Sequence, residues 1–275
     1  MIYQFTVTVA EAKRLIAKAI GVMPSVKKAL SSGRVFLKGG TTVSAVSEEL
    51  GGPPLRISGR ISPSGTRAAL EQVNAPHCLV FERGVPLAAD GRLEEVVYSL
   101  GPEDVAVLGA NLIDSRGGAA MMAGAALGGP PGRVLAGLAA QGTQVLIACG
   151  LEKLFPGCIE DAVNACGRSK VDRAMGMAVG LIPVYGRVIT EVEACRVLAV
   201  VEVQVVGRGG VSGCEGGTTL VAEGEAEDIS RLMEIVNSVK GAGTSGVPES
   251  MVECRPGCES CRRHRACAYR ISKER

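Results

Sequence analysis

The sequence predicts an α/β protein: a mainly parallel sheet with helices on both faces, followed by a small α+β unit and a Cys-rich tail. Three observations carry this prediction. Hydrophobic residues make up 47% of the 275 residues but aromatics only 3%, with no Trp, so the core is aliphatic, as in a sheet buried between helices. Short apolar runs alternate with helical stretches as far as about residue 150, which is the rhythm of βαβ crossovers. Beyond about residue 185 that rhythm gives way to a half-exposed strand pattern. The charged fraction is 21% and the formal net charge +2; this excludes wholesale disorder and gives no bulk preference for a polyanion.

Taken in order, Thr8 and Glu11 have capping-box spacing and open a helix carrying Leu15, Ile16 and Ile20. Gly33 stops the next helical stretch, and a strand is expected at 34–37. The loop Lys38-Gly39-Gly40-Thr41-Thr42 leads into a helix at 43–50. A strand at 78–81 precedes a helix at 93–100 with Val96 and Val97 inward. A buried strand at 105–108, a polar loop at 109–118, a helix at 133–140 and a strand at 144–148 continue the alternation. Thr190 and Glu193 form a second capping box, starting a helix to about 198. Strands at 200–206 and 218–222 and an amphipathic helix at 230–240 make the α+β unit, with Leu232, Ile235, Val236 and Val239 on one face. The expected division is therefore 1–185, 186–240 and 241–275, the last opening on a Gly/Ser/Pro linker at 241–248. The Gly-rich stretch 207–217 reads either as a second ligand loop or as a hairpin connection.

Two loops follow predicted strands, and ligands of open α/β sheets bind where strands end. In the first, Lys38, Gly39, Gly40, Thr41 and Thr42 lie at a strand-to-helix turn, where free backbone N–H groups and the helix dipole favour an anion. The same residues also suit a tight turn with Thr as helix cap. In the second, Asn111, Asp114 and Arg116 supply an amide, a carboxylate and a guanidinium, for substrate binding, proton transfer and anion binding; they also suit a polar turn. Glu152, after the strand at 144–148, is a further acid at that edge.

Together the two loops resemble those of the superfamily of ribose-5-phosphate isomerase, glucosamine-6-phosphate deaminase, coenzyme A transferases and methylthioribose-1-phosphate isomerase, over roughly residues 10–155. Residues 38–42 look like the loop that holds the substrate phosphate, and 107–113 like the Gly-Ala-Asp segment. The resemblance implies binding of a sugar phosphate or coenzyme A-type ligand, with isomerase-like proton transfer. The family's acidic residue falls on Asn111, and an amide takes no proton, so Asp114 or Glu152 is the candidate base. The initiation-factor exchange subunits share this fold, and the likeness to them implies a binding or regulatory protein instead.

The ten cysteines divide into two groups. Cys78, Cys149, Cys158, Cys166, Cys195 and Cys214 sit in apolar or Gly-rich segments and read as small buried hydrophobes. Cys254, Cys258, Cys261 and Cys267 have the spacing Cys-x3-Cys-x2-Cys-x5-Cys, with a Pro-Gly turn, and are placed to converge on one metal or cluster. Their last three resemble the cluster loop of iron–sulfur DNA glycosylases, and their first three the radical S-adenosylmethionine motif, which belongs early in a barrel. A 4Fe–4S cluster and zinc both fit, with His264 a substitute ligand. Residues 254–275 carry seven Arg or Lys against two Glu. That basic tail is either a solvated terminus or a contact for nucleic acid or a protein partner, which would make the chain a redox or metal sensor. No secretory or membrane segment is apparent, since the apolar run at 119–126 is short and broken by glycine. The expected location is cytoplasmic, with no membrane partner; a homo-oligomer is compatible with the sequence.

Overall fold

The structure is a computed structural model and describes residues 1–69 and 73–270. Its strands and helices, in chain order, are β1 (Ile2–Val7), α1 (Val9–Val22), α2 (Pro24–Ser32), β2 (Arg34–Lys38), α3 (Thr41–Glu49), β3 (Gly59–Ser62), β4 (Gly65–Ala68), β5 (Cys78–Glu82), β6 (Val85–Ala88), α4 (Leu93–Ser99), β7 (Val105–Gly109), β8 (Leu112–Ile113), β9 (Ala119–Ala123), α5 (Gly129–Gln141), β10 (Gln144–Ala148), α6 (Ile159–Ala165), β11 (Gly180–Val184), β12 (Arg187–Ile189), α7 (Glu191–Leu198), β13 (Val201–Gly209), β14 (Gly217–Gly224), α8 (Ala226–Val239) and α9 (Glu259–Arg263). None of the described helices is long and apolar enough to cross a membrane.

Both capping boxes form. Thr8 and Glu11 exchange side-chain and backbone bonds at the start of α1, and Thr190 and Glu193 do the same for α7. Each satisfies two N–H groups that the first helical turn leaves open.

The main sheet is six-stranded, in the order β12-β10-β7-β2-β5-β6. β12, β10, β7 and β2 are parallel neighbours. β5 instead runs antiparallel to β2, with Lys38 opposite Cys78. The chain returns from α3 to the end at which β2 finishes, and the Gly39 N–H donates to the His77 carbonyl there. A strand starting beside the end of its neighbour can only run back along it. Alternate residues of the central strand separate into two cores: Val35 and Leu37 cluster with Leu15, Ile16 and Val46, whereas Phe36 clusters with Val96, Val97 and Leu138. This follows from the two-residue period of a strand.

The C-terminal α+β elements recruit the start of the chain. β14 lies between β13 and β1 in an antiparallel sheet. Phe5, Val7, Val203 and Leu220 share a core cluster with Val35 and Leu37 of the main sheet, so packing is continuous across residue 185. The Gly-rich stretch is the connection between β13 and β14, with Gly209, Gly210, Gly213 and Gly216 at positive φ. The polar loop 109–118 contains the short strand β8, which pairs with β9, and β11 joins on the far side.

The segment 241–248 is packed against the body. The Ser245 and Ser44 hydroxyls bond at 2.8 Å, and the Val247 N–H donates to the Leu55 carbonyl. Cys78, Cys149 and Cys195 are buried free thiols, as expected, while Cys158, Cys166 and Cys214 are half-buried. Burial pushes the thiols of Cys78 and Cys149 up to about 11 and that of Cys195 to about 12, which keeps all three protonated and unreactive at neutral pH.

Candidate metal centre and sheet-edge site

The parallel strands β2, β7 and β10 end at one edge, so the loops after them lie together. A β-carbon on Gly109 would stand 3.9 Å from Val43 of α3. The Cys149 thiol reaches the Ala110 carbonyl, and Ile113 bridges to Leu154. The structure thus gathers residues 38–42, 109–114 and 149–154.

At the first loop, α3 begins on Gly40 with no side-chain cap, and a β-carbon at Gly40 would meet nothing within 4 Å. No side chain caps the first N–H groups of α3. Thr42 is buried and its hydroxyl has no hydrogen-bond partner. Lys38 is half-buried at the end of β2; burial pushes its ammonium pKa down, and it makes no ion pair with a carboxylate among the described residues.

Gly39 has a different reason for being glycine. A β-carbon there would fall 2.2 Å from the His77 carbonyl and 2.5 Å from its Nδ1. His77 is buried; its Nδ1 lies 2.8 Å from the Arg56 carbonyl and its Nε2 3.1 Å from the Ser58 hydroxyl. Those partners fit the neutral ring, with Nδ1–H donating and Nε2 accepting. Burial, reinforced by the charge of Lys38, pushes the His77 pKa down to about 4. Gly39→Ala is expected to destabilise the protein by about 1–3 kcal/mol, the usual cost of overpacking, because backbone stands in the way. Urea denaturation checks this, and an unchanged midpoint would contradict it.

The second loop is occupied by its own backbone. Asp114 Oδ1 accepts the N–H groups of Arg116 and Gly118, and Oδ2 accepts that of Ile159 at the start of α6. Burial pushes the Asp114 carboxyl up, but these bonds and the Arg116 charge prevail and hold it below its ordinary value. Asn111 Oδ1 accepts the Met122 N–H, and Arg116 reaches out to Glu160 at the surface.

The third segment brings the sequence candidate Glu152 together with Lys13 and Glu191, which carry no such signal. Glu152, whose Oε1 has no hydrogen-bond partner, lies 3.8 Å from Lys153. Lys13 of α1 is half-buried; burial pushes its pKa down, and so does the nearby Lys153. Glu191 is buried and accepts from the Leu151 N–H and the Thr218 hydroxyl; burial raises its pKa.

The tail is built around a sharp knuckle. Gly257 at φ +77 turns the chain, the Cys258 N–H donates to the Arg255 carbonyl, and the Cys261 N–H donates to that of Cys258. The short helix α9 then sets Cys258 and Cys261 one turn apart. The sulfurs of Cys254, Cys258 and Cys261 lie within 4.8 Å of one another, and those of Cys258 and Cys261 are 3.6 Å apart. Cys267 is buried nearby, outside the group of three sulfurs. It is held by a bridge to Ala174, flanked by bonds between Ala174 and Ala266 and between Ala268 and Ala174. His264 is buried beside them, and its Nδ1 has no partner. At Cys258 burial pushes the thiol up, but N–H donors from Cys261 and Ser260, the Cys261 thiol and the Arg67 charge outweigh it and leave the pKa lowered. Burial and the two neighbouring thiols raise that of Cys261.

These residues fit a metal. Tetrahedral zinc–thiolate bonds of about 2.3 Å place sulfurs roughly 3.8 Å apart, close to what the knuckle provides. Comparison with protein-family models, with curated proteins and with solved structures finds no match for this chain.

Proposed function

We propose that this is a metal-binding protein in which Cys254, Cys258, Cys261 and Cys267 hold one ion, and whose sheet edge takes a small anionic ligand. The convergence of three sulfurs within 4.8 Å carries the first part. It favours a single ion such as zinc over a 4Fe–4S cluster, whose thiolates sit on different irons and therefore farther apart. The fourth position goes to Cys267, with His264 as the neighbouring substitute.

The ligand reading rests on the uncapped start of α3, the Thr42 hydroxyl without a hydrogen-bond partner and the ammonium of Lys38, which has no ion-pair partner among the described residues; together they suit a phosphate. A sugar phosphate or coenzyme A-type ligand is the class that the resemblance to the phosphosugar isomerases and coenzyme A transferases adds. Around this edge we read the sheet as covered by helices on both faces, α1 and α3 on one and α4 and α5 on the other. Replacing Thr41 and Thr42 together by Val is expected to weaken phosphorylated ligands by about 1–3 kcal/mol. Thermal-shift screening of sugar phosphates and coenzyme A esters reads this out, and equal shifts in the variant would contradict the site.

Between a catalytic and a non-catalytic protein, the hydrogen bonds favour the latter. Asp114 spends both oxygens on backbone N–H groups, which leaves Glu152 as the base for any isomerase-like step. A sensor that reports metal or redox state is supported by the bonds from Ser245 to Ser44 of α3 and from the Ile57 N–H to Ser250, which tie the tail's approach to the helix that begins the anion site. The buried free thiols suit a reducing, cytoplasmic setting. The basic tail spends part of its charge internally: Arg263 pairs with Glu259, and Arg270 donates to the carbonyls of Cys261, Arg262 and His264. Contact with a protein partner therefore fits it better than contact with nucleic acid.

A further inference from the structure

Arg67 on β4 is far from the tail in sequence but packs against tail residues that flank the cysteines, Glu253 and Tyr269. Its side chain is 1% exposed. One bond from Nη2, to the Ser64 carbonyl at 3.1 Å, serves a group with five N–H donors. Nε lies 3.2 Å from Glu253 Oε1 without hydrogen-bond geometry, and both Nε and Nη1 are buried without a partner. The guanidinium is 5.1 Å from the centre of the Tyr269 ring, so residues on both sides of the four cysteines, Glu253 and Tyr269, hold it.

A buried guanidinium with unused donors is costly on its own. A divalent ion with four thiolates is a buried dianion, which needs cations and N–H donors around its sulfurs. Each supplies what the other lacks. We propose that Arg67 is a positioning residue of the metal centre: its free N–H groups donate to the thiolates, its charge offsets theirs, and it fastens the β3–β4 hairpin to the tail. This rests on the metal reading above. The hairpin is already joined to the strip that carries Cys267, since the Thr66 N–H donates to the Met175 carbonyl and the Met177 N–H to that of Thr66. Gly65 and Gly176 stand where a β-carbon would fall 1.9 Å from the facing carbonyl, so the two segments meet too closely for any side chain between them.

The test titrates cobalt(II) into the full-length reduced protein and follows the sulfur-to-cobalt charge-transfer bands, with zinc competition for affinity. Arg67→Met is expected to weaken binding about 10- to 100-fold, the usual effect of losing an outer-shell partner, with thiolate bands of undiminished intensity at saturation; Arg67→Lys is expected to recover part of the loss. As a measurement on the unaltered chain, the Arg67 Nε–H signal in nitrogen-15 NMR is expected to shift and become protected from exchange when zinc is added. Affinity of Arg67→Met within twofold of wild type, or an Nε–H signal indifferent to zinc, would overturn the role of Arg67 while leaving the centre itself intact. Wild-type protein that takes up neither cobalt nor zinc would overturn the centre, and this inference with it.

Discussion

Cys261→Ser is expected to empty the metal centre. Cys261 is fully buried, and its sulfur lies 3.6 Å from that of Cys258 within the group of three, so it is the ligand whose loss the site can least absorb. Serine offers a harder oxygen that remains protonated at neutral pH, and it coordinates zinc poorly. Outer-shell changes already cost about 10- to 100-fold in affinity, so loss of this ligand is expected to cost well over ~100-fold. The consequence for folding is local. Residues 245–250 keep their bonds to Ser44, Leu55 and Ile57 without the metal, whereas beyond residue 252 the backbone bonds to the body are confined to Ala174 and Ala178. Limited proteolysis of the variant is therefore expected to cut C-terminal to residue 251, with a cooperative unfolding transition retained by the rest. A variant that keeps its metal, or that unfolds throughout, would contradict this.

The second large effect is a dependence of stability on pH, set by His77. In the unfolded chain its ring takes a proton near 6.5, and in the folded protein only near 4. Between those values the unfolded state binds more protons, so acid favours unfolding. The contribution is fully present above about pH 6.5 and is lost as pH falls toward about 4. At about 1.4 kcal/mol for each unit of displacement, it amounts to about 3 kcal/mol. His77→Gln does not titrate, so urea midpoints measured at pH 7 and at pH 4.5 are expected to lie closer together in the variant than in wild type. Equal separation would show that His77 is not the group responsible. Because the ring packs on Gly39, its protonation is expected to disturb the loop proposed to bind an anion.

Those residues also show which parts of the molecule the sequence makes legible. Both capping boxes are local chemistry, a hydroxyl and a carboxylate three residues apart, and both form where the spacing places them. The aliphatic runs at 105–108 and 144–148 need burial on both faces, and they lie next to each other in the sheet. The cysteine spacing confines three sulfurs to one knuckle whatever the rest of the chain does. The strand β1 is less legible, because it buries only Phe5 and Val7 and takes its partner from β14, more than 200 residues away. The reversed direction of β5 depends on where α3 returns the chain, which is a tertiary fact. Asp114 and Asn111 look chemical in the sequence because polar side chains at a strand end suit catalysis, yet the same side chains suit a turn, and backbone N–H groups have taken their oxygens. Arg67, Lys13 and Glu191 carry no motif; only the assembled structure shows that they are buried or half-buried beside other polar groups.

The most direct measurement is metal analysis, with a visible spectrum, of full-length protein purified without oxygen. Close to one zinc ion per chain is expected, with no acid-labile sulfide and a colourless solution that is unchanged by air. Iron with sulfide and a brown colour that fades in air would contradict the single-ion geometry, and a metal-free chain would contradict the centre itself.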